Sequence, residues 1–334
     1  MNILAFESTC DETAVAVVKD GRETRSSCIF SQADLHAIYG GVVPELASRS
    51  HVEVISRLAD RAIEEAKITK AEIDAVAVAY APGLIGAILV GVNFAKAVAS
   101  ALNVPLIPVH HVKGHIAANY LAYPELSPPF VCLAISGGNT MLINVKTYTE
   151  METLGATRDD AAGECFDKTA RVLGLPYPGG RHVDNLAKAG NDEAFKLPVS
   201  QIKDAPLDMS FSGLKTSVIN IVHNAAQKGE ELSAADLCAS FTKAVSDSLV
   251  PRTMQALRAC GYKKLCVAGG VAANSRIRAD FEKAAQSAGV ELFVPPLSLC
   301  GDNAAMIGAQ GYYEFLSGNI SASDLNAFAT MELG

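Results

Sequence analysis

The sequence predicts a two-lobed α/β protein, because one pattern of strands and helices occurs twice along its 334 residues. Each copy starts with three strands joined by short polar turns and continues as helix, strand, helix and strand. The opening strands are expected at 3–7, 14–18 and 23–30 in the first copy, and at 131–135, 141–145 and 151–155 in the second. Strands that alternate with helices in this way predict a mixed sheet with helices on its faces.

The second part of each copy contains a strand, a tight turn, a helix and a closing strand. These are expected at 75–79, 82–83, 87–101 and 106–109, and again at 264–268, 269–270, 275–288 and 292–294. In addition, the Asp20-Gly21 pair lies between two apolar runs and predicts a hairpin in the first copy.

Helical insertions at 160–189 and 233–259 enlarge the second copy, and a last helix near 303–316 is expected to return to the first lobe. The predicted N-terminal lobe therefore comprises 1–127 and 307–334, and the C-terminal lobe comprises 128–306. Glycine-containing turns in two such lobes can present backbone N–H groups to a phosphate, so we expect a nucleotide-like ligand and a metal ion in a central cleft. For any single turn, the alternative is a tight hairpin that needs glycine.

The composition favours a soluble, cytoplasmic protein. Apolar residues make up 49% of the chain and eight cysteines form no C-x-x-C pair, which predicts a large core and reduced thiols. The N-terminus lacks the basic flank of a signal peptide. The net charge of −8 argues against strong nonspecific nucleic-acid binding by the chain alone. Residues 75–95 are uncharged, but their alternation and the Pro82-Gly83 turn predict a strand, turn and helix instead of a membrane span.

Two histidines follow the strand expected at 106–109. His111 and His115 are spaced i, i+4, so on a helix they share one face. Neutral imidazoles at this spacing are good ligands for a borderline divalent metal. Asp302 is the best candidate for a third ligand and is expected at the end of a strand in the opposite lobe. The alternatives are capping or core histidines, and an aspartate that only caps the last helix.

Polar turns at the start of the two copies are further candidate sites. In the second copy, Gly137 and Gly138 allow a phosphate to approach the backbone, and the Ser136 hydroxyl can assist. In the first copy, Asp11 and Glu12 are costly near a phosphate unless they bind a cation or move a proton. A solvated turn is the alternative for both acids.

Other polar residues of the second copy are candidates for contacts with the rest of the ligand. Asp167 and Asp184 can accept hydrogen bonds from ribose hydroxyls, as carboxylates do in other nucleotide sites. Gly180 lies in another Gly-Gly pair, and Asn274 is expected where a helix begins. Each of these residues alone could be a cap or turn residue, so the prediction depends on the whole set.

A helix expected at 45–66 carries an apolar stripe. The stripe consists of Leu46, Val54, Ile55, Leu58, Ala62 and Ile63. It exceeds what a small lobe needs to cover, so we expect it to contact a partner protein. The alternative is an ordinary helix that faces the core.

Six segments together resemble one known family. They are residues 6–13 (FESTCDET), 40–45 (GGVVPE), the His111/His115 pair, 136–140 (SGGNT), 177–180 (YPGG) and 269–274 (GGVAAN). These motifs are similar to those of the tRNA N6-adenosine threonylcarbamoyltransferase family. The resemblance extends from residue 3 to about 316, and no motif departs from the family pattern.

The resemblance implies the duplicated actin-like ATPase fold of sugar kinases and chaperone ATPases, which agrees with the repeat. It implies transfer of a threonylcarbamoyl group from threonylcarbamoyl-AMP to N6 of the adenosine 3′ of the anticodon, in tRNAs that read codons beginning with A. It also implies one divalent metal per chain, given as iron, with Zn²⁺ or Mg²⁺ as alternatives, on His111, His115 and Asp302. The implied substrate site consists of Ala134, Ile135, Ser136, Gly137, Gly138, Asp167, Gly180, Asp184 and Asn274.

The resemblance also implies protein partners. Bacterial members of the family work with a non-catalytic relative of the same fold and with a small ATPase, so we expect both in addition to tRNA, and no membrane. For the reaction itself, Asp11 and Glu12 are our candidates for accepting the proton of the adenine amine.

Three other functions compete with the transferase interpretation. A metallopeptidase of the H-E-x-x-H type needs a glutamate directly after the first histidine, and Val112 is found there instead. A non-enzymatic, nucleotide-gated binding module would have no use for two histidines and an acid. A small-molecule kinase is the fourth and weakest possibility.

Overall fold

The computed structural model describes residues 1–333. The strands are β1 (Asn2–Glu7), β2 (Glu12–Lys19), β3 (Glu23–Ser31), β4 (Ala75–Ala81), β5 (Leu106–His110), β6 (Phe130–Ile135), β7 (Thr140–Val145), β8 (Met151–Ala156), β9 (Lys264–Ala268) and β10 (Glu291–Phe293). The α-helices are α1 (Ala33–Ala37), α2 (Pro44–Glu65), α3 (Ile85–Leu102), α4 (His111–Ala122), α5 (Ala162–Val172), α6 (Gly179–Ala187), α7 (Ser212–Lys228), α8 (Ala234–Cys260), α9 (Ser275–Ala288) and α10 (Ala304–Leu316). Short 3₁₀ helices lie at Lys70–Glu72, Gly270–Ala273 and Leu297–Leu299.

The chain forms two compact units. Unit 1 contains Met1–Pro128, Val145–Glu152 and the chain from Pro295 onward, and unit 2 contains Pro129–Asn144 and Thr153–Val294. The segment from 295 to 306, which the sequence placed in the C-terminal lobe, therefore belongs with the N-terminal residues. The physical reason is that Ala304 and Ala305 are fully buried in the same core as Ile3 of β1.

The two sheets confirm the duplicated pattern. The first sheet has the strand order β3-β2-β1-β4-β5, and the second has the order β10-β9-β6-β7-β8. In the first sheet β1 pairs antiparallel with β2 and parallel with β4, and in the second β6 pairs parallel with β9. Read from its other end, the second order is β8-β7-β6-β9-β10, so the strands occupy equivalent positions in the two copies.

The hairpin between β2 and β3 turns at Asp20 and Gly21, as predicted. Both residues have positive φ angles, 50° and 67°, which a two-residue hairpin turn requires. A Cβ atom on Gly21 would lie 2.7 Å from the Tyr312 side chain, so space as well as conformation requires glycine there.

Strand β1 is buried on both faces. Leu4 and Phe6 pack in a core cluster with α2 and α3 residues, whereas Ile3 and Ala5 pack in a second cluster with residues of α10. Successive side chains of a strand point to opposite faces, so one strand supplies both cores. The last helix therefore covers the first sheet, as the sequence predicted.

The uncharged segment forms β4, a turn and α3, as predicted. Within the described chain, α3 is one helix whose length and composition would allow it to cross a membrane. Of its 18 residues, 33% are buried. Core helices meet the same criterion, so this is weak evidence for a span. Ile88, Val92 and Ala95 of this helix pack in the core beside α2.

The apolar stripe of α2 covers its own sheet. Val54, Ile55, Leu58, Ala62 and Ile63 all belong to the core of unit 1. The core-facing alternative is therefore correct for these residues, and the stripe is not a partner surface. A different face of the helix carries Val52, whose side chain is 63% exposed.

We expect Leu58→Asp to lower the free energy of unfolding by more than about 3 kcal/mol, because it places a carboxylate in an apolar core. The matched substitution Val52→Asp on the exposed face should change it by less than about 0.5 kcal/mol. Urea unfolding followed by circular dichroism measures both variants. Similar decreases in the free energy of unfolding for the two variants would contradict the assignment of Leu58 to the buried face and Val52 to the exposed face.

Candidate active site

The two candidate histidine ligands lie where β5 passes directly into α4. His110 ends the strand and His111 begins the helix, so His111 and His115 lie one helical turn apart on one face, as predicted. Their ring centroids are 4.6 Å apart. Both side chains are buried, with 5% and 2% exposure. Imidazoles held this close in the interior need either hydrogen-bond partners or a ligand.

Asp302 lies beside both histidines. Its Oδ1 atom is 3.2 Å from Nε2 of His115 and 3.6 Å from Nε2 of His111. The structure brings the three residues together, although Asp302 belongs to the same unit as the histidines and not to the opposite lobe as expected. The alternative that Asp302 only caps the last helix fails, because the cap is Asn303, whose Oδ1 accepts the Met306 N–H at 2.9 Å. The carboxylate of Asp302 is therefore available to the histidines.

The His111, His115 and Asp302 group has the properties of a metal site. One ligand atom from each residue lies within 4.8 Å of the others. Metal–ligand distances of about 2.0–2.2 Å place two ligands of one ion at most about 4.4 Å apart, and the separations of 3.6 and 3.2 Å from Asp302 Oδ1 to the two Nε2 atoms are within that limit. Among the described residues, Nδ1 of His115 has no hydrogen-bond partner, and its Nε2 faces the Asp302 carboxylate. Two imidazoles and a carboxylate suit a divalent ion, so the residues fit the expected group.

The charges of this group compensate one another. Burial favours neutral His111, but the carboxylates of Glu7 and Asp302 raise the pKa of His111 to about 9. Burial likewise opposes ionisation of Asp302, yet His111 and His115 bring the pKa of Asp302 down to about 2. At neutral pH a proton on His111 thus balances the carboxylates where a metal ion would otherwise do so.

The two acids of the first turn lie next to this group. Asp11 ends the turn and is only 7% exposed, and Glu12 is the first residue of β2, so the solvated-turn alternative fails for Asp11. The side chains of Cys10 and Glu12 both hydrogen-bond to Asp11. Burial, together with the charges of Asp302 and Asp11, raises the pKa of Glu12 to about 9. Glu12 therefore carries a proton at neutral pH.

Buried residues that the sequence analysis missed support this turn. His51 Nε2 lies 2.9 Å from the Cys10 carbonyl oxygen, and its Nδ1 lies 2.7 Å from the Thr13 hydroxyl. Glu7 contacts His111 Nδ1 at 2.9 Å. The available signal for Glu7 was an acid at the end of an otherwise apolar strand. His51 gave no signal, because an isolated histidine on a helix is common.

In unit 2, the turn between β6 and β7 is closed by its own hydrogen bonds. The Ser136 N–H donates to the Asn139 carbonyl at 2.8 Å, and the Asn139 N–H donates to Ser136 Oγ at 3.2 Å. Cβ atoms built on Gly137 or Gly138 would meet nothing within 4 Å. The backbone of these glycines therefore faces open space that a ligand can approach.

Two other glycines pack against this turn. A Cβ atom on Gly163, in the first turn of α5, would collide with the Ser136 carbonyl oxygen, and one on Gly269 would collide with the Ile135 carbonyl oxygen.

Ala134 and Ile135 are also predicted to contact the substrate. They can do so only through their backbone, because both side chains are buried in the sheet.

Hydrogen bonds link each of the two predicted aspartates to the chain next to another predicted substrate residue. Asp167 Oδ1 accepts the N–H of Gly179, the neighbour of Gly180, at 2.8 Å. Asp184 Oδ1 accepts the Ser275 N–H at 3.0 Å, next to Asn274. Asn274 caps α9 through its Oδ1, and its Nδ2 is buried without a partner in the described chain. A buried amide donor without a protein partner can donate a hydrogen bond to a ligand or a water.

Comparison with known proteins decides the family. A sequence model described as tRNA N6-adenosine threonylcarbamoyltransferase matches residues 23–309. The relative from Clostridium botulinum (strain 657 / Type Ba4), which carries that name, is 50% identical over 334 residues, or 100% of this chain and 98% of the relative. The relative from Clostridium perfringens (strain SM101 / Type A) is 49% identical over 99% of this chain and 98% of its own length.

The chain belongs to the tRNA N6-adenosine threonylcarbamoyltransferase family. It is therefore a transferase that modifies tRNA, as the motifs predicted. None of the comparisons favours the peptidase, binding-module or kinase alternatives.

Solved structures confirm the actin-like ATPase fold of this family member. HypF of T. kodakarensis has a TM-score of 0.66 at 17% identity, covering 97% of this chain and 49% of HypF. Component A of the (R)-2-hydroxyglutaryl-CoA dehydratase of Acidaminococcus fermentans has a TM-score of 0.55 at 16% identity, covering 94% of this chain and 98% of component A. At such low identity these similarities establish the fold alone.

We expect His111→Ala and Asp302→Asn each to lose nearly all bound divalent metal, because either change removes a ligand atom. The fold should survive, since Asn303 still caps α10 in both variants. Plasma mass spectrometry of the purified chains measures metal content, and Asp34→Asn, an exposed change in α1, is the control. Wild-type metal content in both ligand variants would contradict the proposal that these residues bind the metal.

Proposed function

We propose that this transferase moves a threonylcarbamoyl group from threonylcarbamoyl-AMP to N6 of the adenosine 3′ of the anticodon, in tRNAs that read codons beginning with A. The main support is membership of the family together with the grouping of His111, His115 and Asp302. An anticodon loop is a suitable target, because single-stranded bases can be turned out and held in a pocket. The protein is expected in the cytoplasm, where tRNA is available and thiols stay reduced.

In this proposal His111, His115 and Asp302 hold one divalent ion per chain. Fe²⁺ is the ion we propose, and Zn²⁺ and Mg²⁺ are the alternatives, because imidazole and carboxylate ligands also bind Zn²⁺ well. When bound, the ion would supply Lewis-acid chemistry that polarises a donor carbonyl.

The AMP part of the donor is assigned to unit 2. The open backbone at Gly137 and Gly138 can donate hydrogen bonds to the phosphate, which gains charge as the leaving group. Asp167 and Asp184 are assigned to accept hydrogen bonds from ribose hydroxyls, as carboxylates do in other nucleotide sites. The unused Nδ2 donor of Asn274 supports a polar ligand atom nearby.

The proton of the adenine amine is assigned to Asp11. An exocyclic amine is a poor nucleophile, because its lone pair is delocalised into the ring, so a proton acceptor assists the attack. Burial and the charges of Asp302 and Asp11 raise the pKa of Glu12 to about 9, which favours its protonated form. Its side chain is hydrogen-bonded to Asp11, which leaves Asp11 as the acceptor and Glu12 as the residue that orients it.

We expect Asp11→Asn to lower the rate of transfer about 10²–10⁴-fold, the usual contribution of a general base. Glu12→Gln preserves a neutral side chain that can donate to Asp11, so its rate should fall less than about tenfold. The assay combines the purified chain, threonylcarbamoyl-AMP, unmodified tRNA and the partner proteins, and measures the modified nucleoside by mass spectrometry. Donor affinity is measured separately by calorimetry.

Two results would separate the parts of this proposal. Equal rate losses in Asp11→Asn and Glu12→Gln would overturn the division of roles between the two acids. Undiminished formation of the modified nucleoside when this chain is omitted would overturn the transferase function as a whole.

The proposed protein partners are a non-catalytic relative of the same fold and a small ATPase. Unit 1 exposes apolar side chains on neighbouring elements, including Val52 of α2 at 63% and Ile85 and Leu89 of α3 at 47% and 37%. Helices α2 and α3 approach closely here, because a Cβ on Gly86 would lie 2.5 Å from Ser48 Oγ. An exposed apolar surface of this kind suits a protein partner. Such partners would also supply positive charge for tRNA that a chain of net charge −8 lacks.

We expect Val52→Asp and Leu89→Asp to abolish binding of the relative, because each places a charge in an apolar interface. Val199→Asp is the matched control, since Val199 is 38% exposed but lies in unit 2. Analytical ultracentrifugation of the mixed proteins measures the complex, and circular dichroism verifies folding. Complex formation by both variants in folded form would rule out this surface.

A further inference from the structure

Glu7 is a buried acid that the proposed reaction does not use. It ends β1 and its side chain has no exposed surface. Within the described residues, its ion-pair partner is His111 and not a lysine or arginine. An ionised carboxylate in the interior is costly unless its hydrogen bonds are satisfied, so the contacts of Glu7 indicate what it does.

The two oxygens of Glu7 have different partners. Oε1 accepts the backbone N–H of Thr9 at 2.6 Å. Oε2 lies 2.9 Å from Nδ1 of His111, and Thr9 Oγ1 lies 3.2 Å from the same nitrogen. A carboxylate can only accept hydrogen bonds, so Nδ1 of His111 must carry the hydrogen. In neutral His111 the lone pair is then on Nε2, the atom that faces Asp302 at 3.6 Å.

We propose that Glu7 is a positioning residue that fixes His111 in its Nδ1–H tautomer and directs the Nε2 lone pair to the metal site. The inference rests on the metal-binding role proposed above. Carboxylates that hold the second nitrogen of a metal-bound histidine act in this way in other proteins.

The other histidine provides an internal comparison. The Nε2 atom of His115 also faces Asp302, at 3.2 Å, but its Nδ1 has no hydrogen-bond partner among the described residues. The two ligands therefore differ on the side away from Asp302, because Glu7 holds Nδ1 of His111 and no described residue holds Nδ1 of His115. A change at Glu7 should affect His111 and leave the environment of His115 as it is.

Glu7→Gln tests the proposal because it preserves shape and reverses one hydrogen bond. The Thr9 N–H can only donate, so the amide oxygen of glutamine must face it. The amide NH₂ then faces His111 Nδ1, which must accept, and the hydrogen of neutral His111 moves to Nε2. That nitrogen can no longer bind a metal without losing its proton. A residue that only filled space would tolerate this substitution.

The experiment has two readouts. Nitrogen-15 shifts of the imidazole rings in the metal-free protein, above the pH of histidine titration, should show the Nδ1–H tautomer for His111 in the wild type and the Nε2–H tautomer in Glu7→Gln. Competition with a chromophoric chelator should show Co²⁺ bound about 10–100-fold more weakly by Glu7→Gln, the usual effect of losing such a carboxylate. Glu53→Gln, an exposed glutamate of α2, should match the wild type in both.

Each outcome bears on a separate statement. Wild-type Co²⁺ affinity in folded Glu7→Gln, or an unchanged tautomer, would overturn the role of Glu7 while leaving the metal site intact. An Nε2–H tautomer of His111 in the wild-type protein would by itself overturn the role of Glu7, so the test does not depend on Glu7→Gln folding. Absence of Co²⁺ binding by the wild type would overturn the metal proposal and this inference together.

Discussion

The organisation of unit 1 depends on the cost of burying negative charge. Four carboxyl groups are gathered in one region: Glu7, Asp11 and Asp302 are little exposed, and the pKa of Glu12 is raised to about 9 by burial and by its acidic neighbours. No protein interior holds so many like charges without compensation. Protons on Glu12 and His111 provide that compensation here, and a divalent cation is the natural alternative to the proton on His111.

The duplicated pattern makes the contrast between the two units informative. The β1–β2 turn of unit 1 and the β6–β7 turn of unit 2 occupy the same place in the strand order. The first turn carries buried acids, and the second carries Gly137 and Gly138 with open space above their backbone. In the function proposed above, one copy of the fold therefore takes a cation and the other an anion, although their backbones follow the same pattern. Side-chain chemistry at one turn, and not the fold, makes this difference.

Close packing holds the acidic turn in place. A Cβ atom on Gly91 would collide with Ser8 Oγ, so helix α3 lies directly against the turn. The Gly83 N–H donates to the Ala329 carbonyl at 3.1 Å, and His110 Nε2 lies 3.4 Å from the Met331 carbonyl. The C-terminal segment, itself part of unit 1, thus contacts the turn before α3 and His110 at the end of β5. Such support matters because a metal site tolerates little error in the positions of its ligands.

The sequence by itself determined the repeated strand order, the Asp20-Gly21 hairpin, the family and the shared helical face of His111 and His115. These features depend on local periodicity, turn chemistry and motifs. Only the tertiary structure decided that Asp302 lies in the same unit as the histidines, that Glu7 contacts a residue 104 positions away, and that Leu58 is buried while Val52 is exposed. Burial also decided that Glu12 keeps its proton. The physical reason is that strand order and packing bring distant residues together, and a group's protonation and exposure depend on those neighbours and not on its own segment.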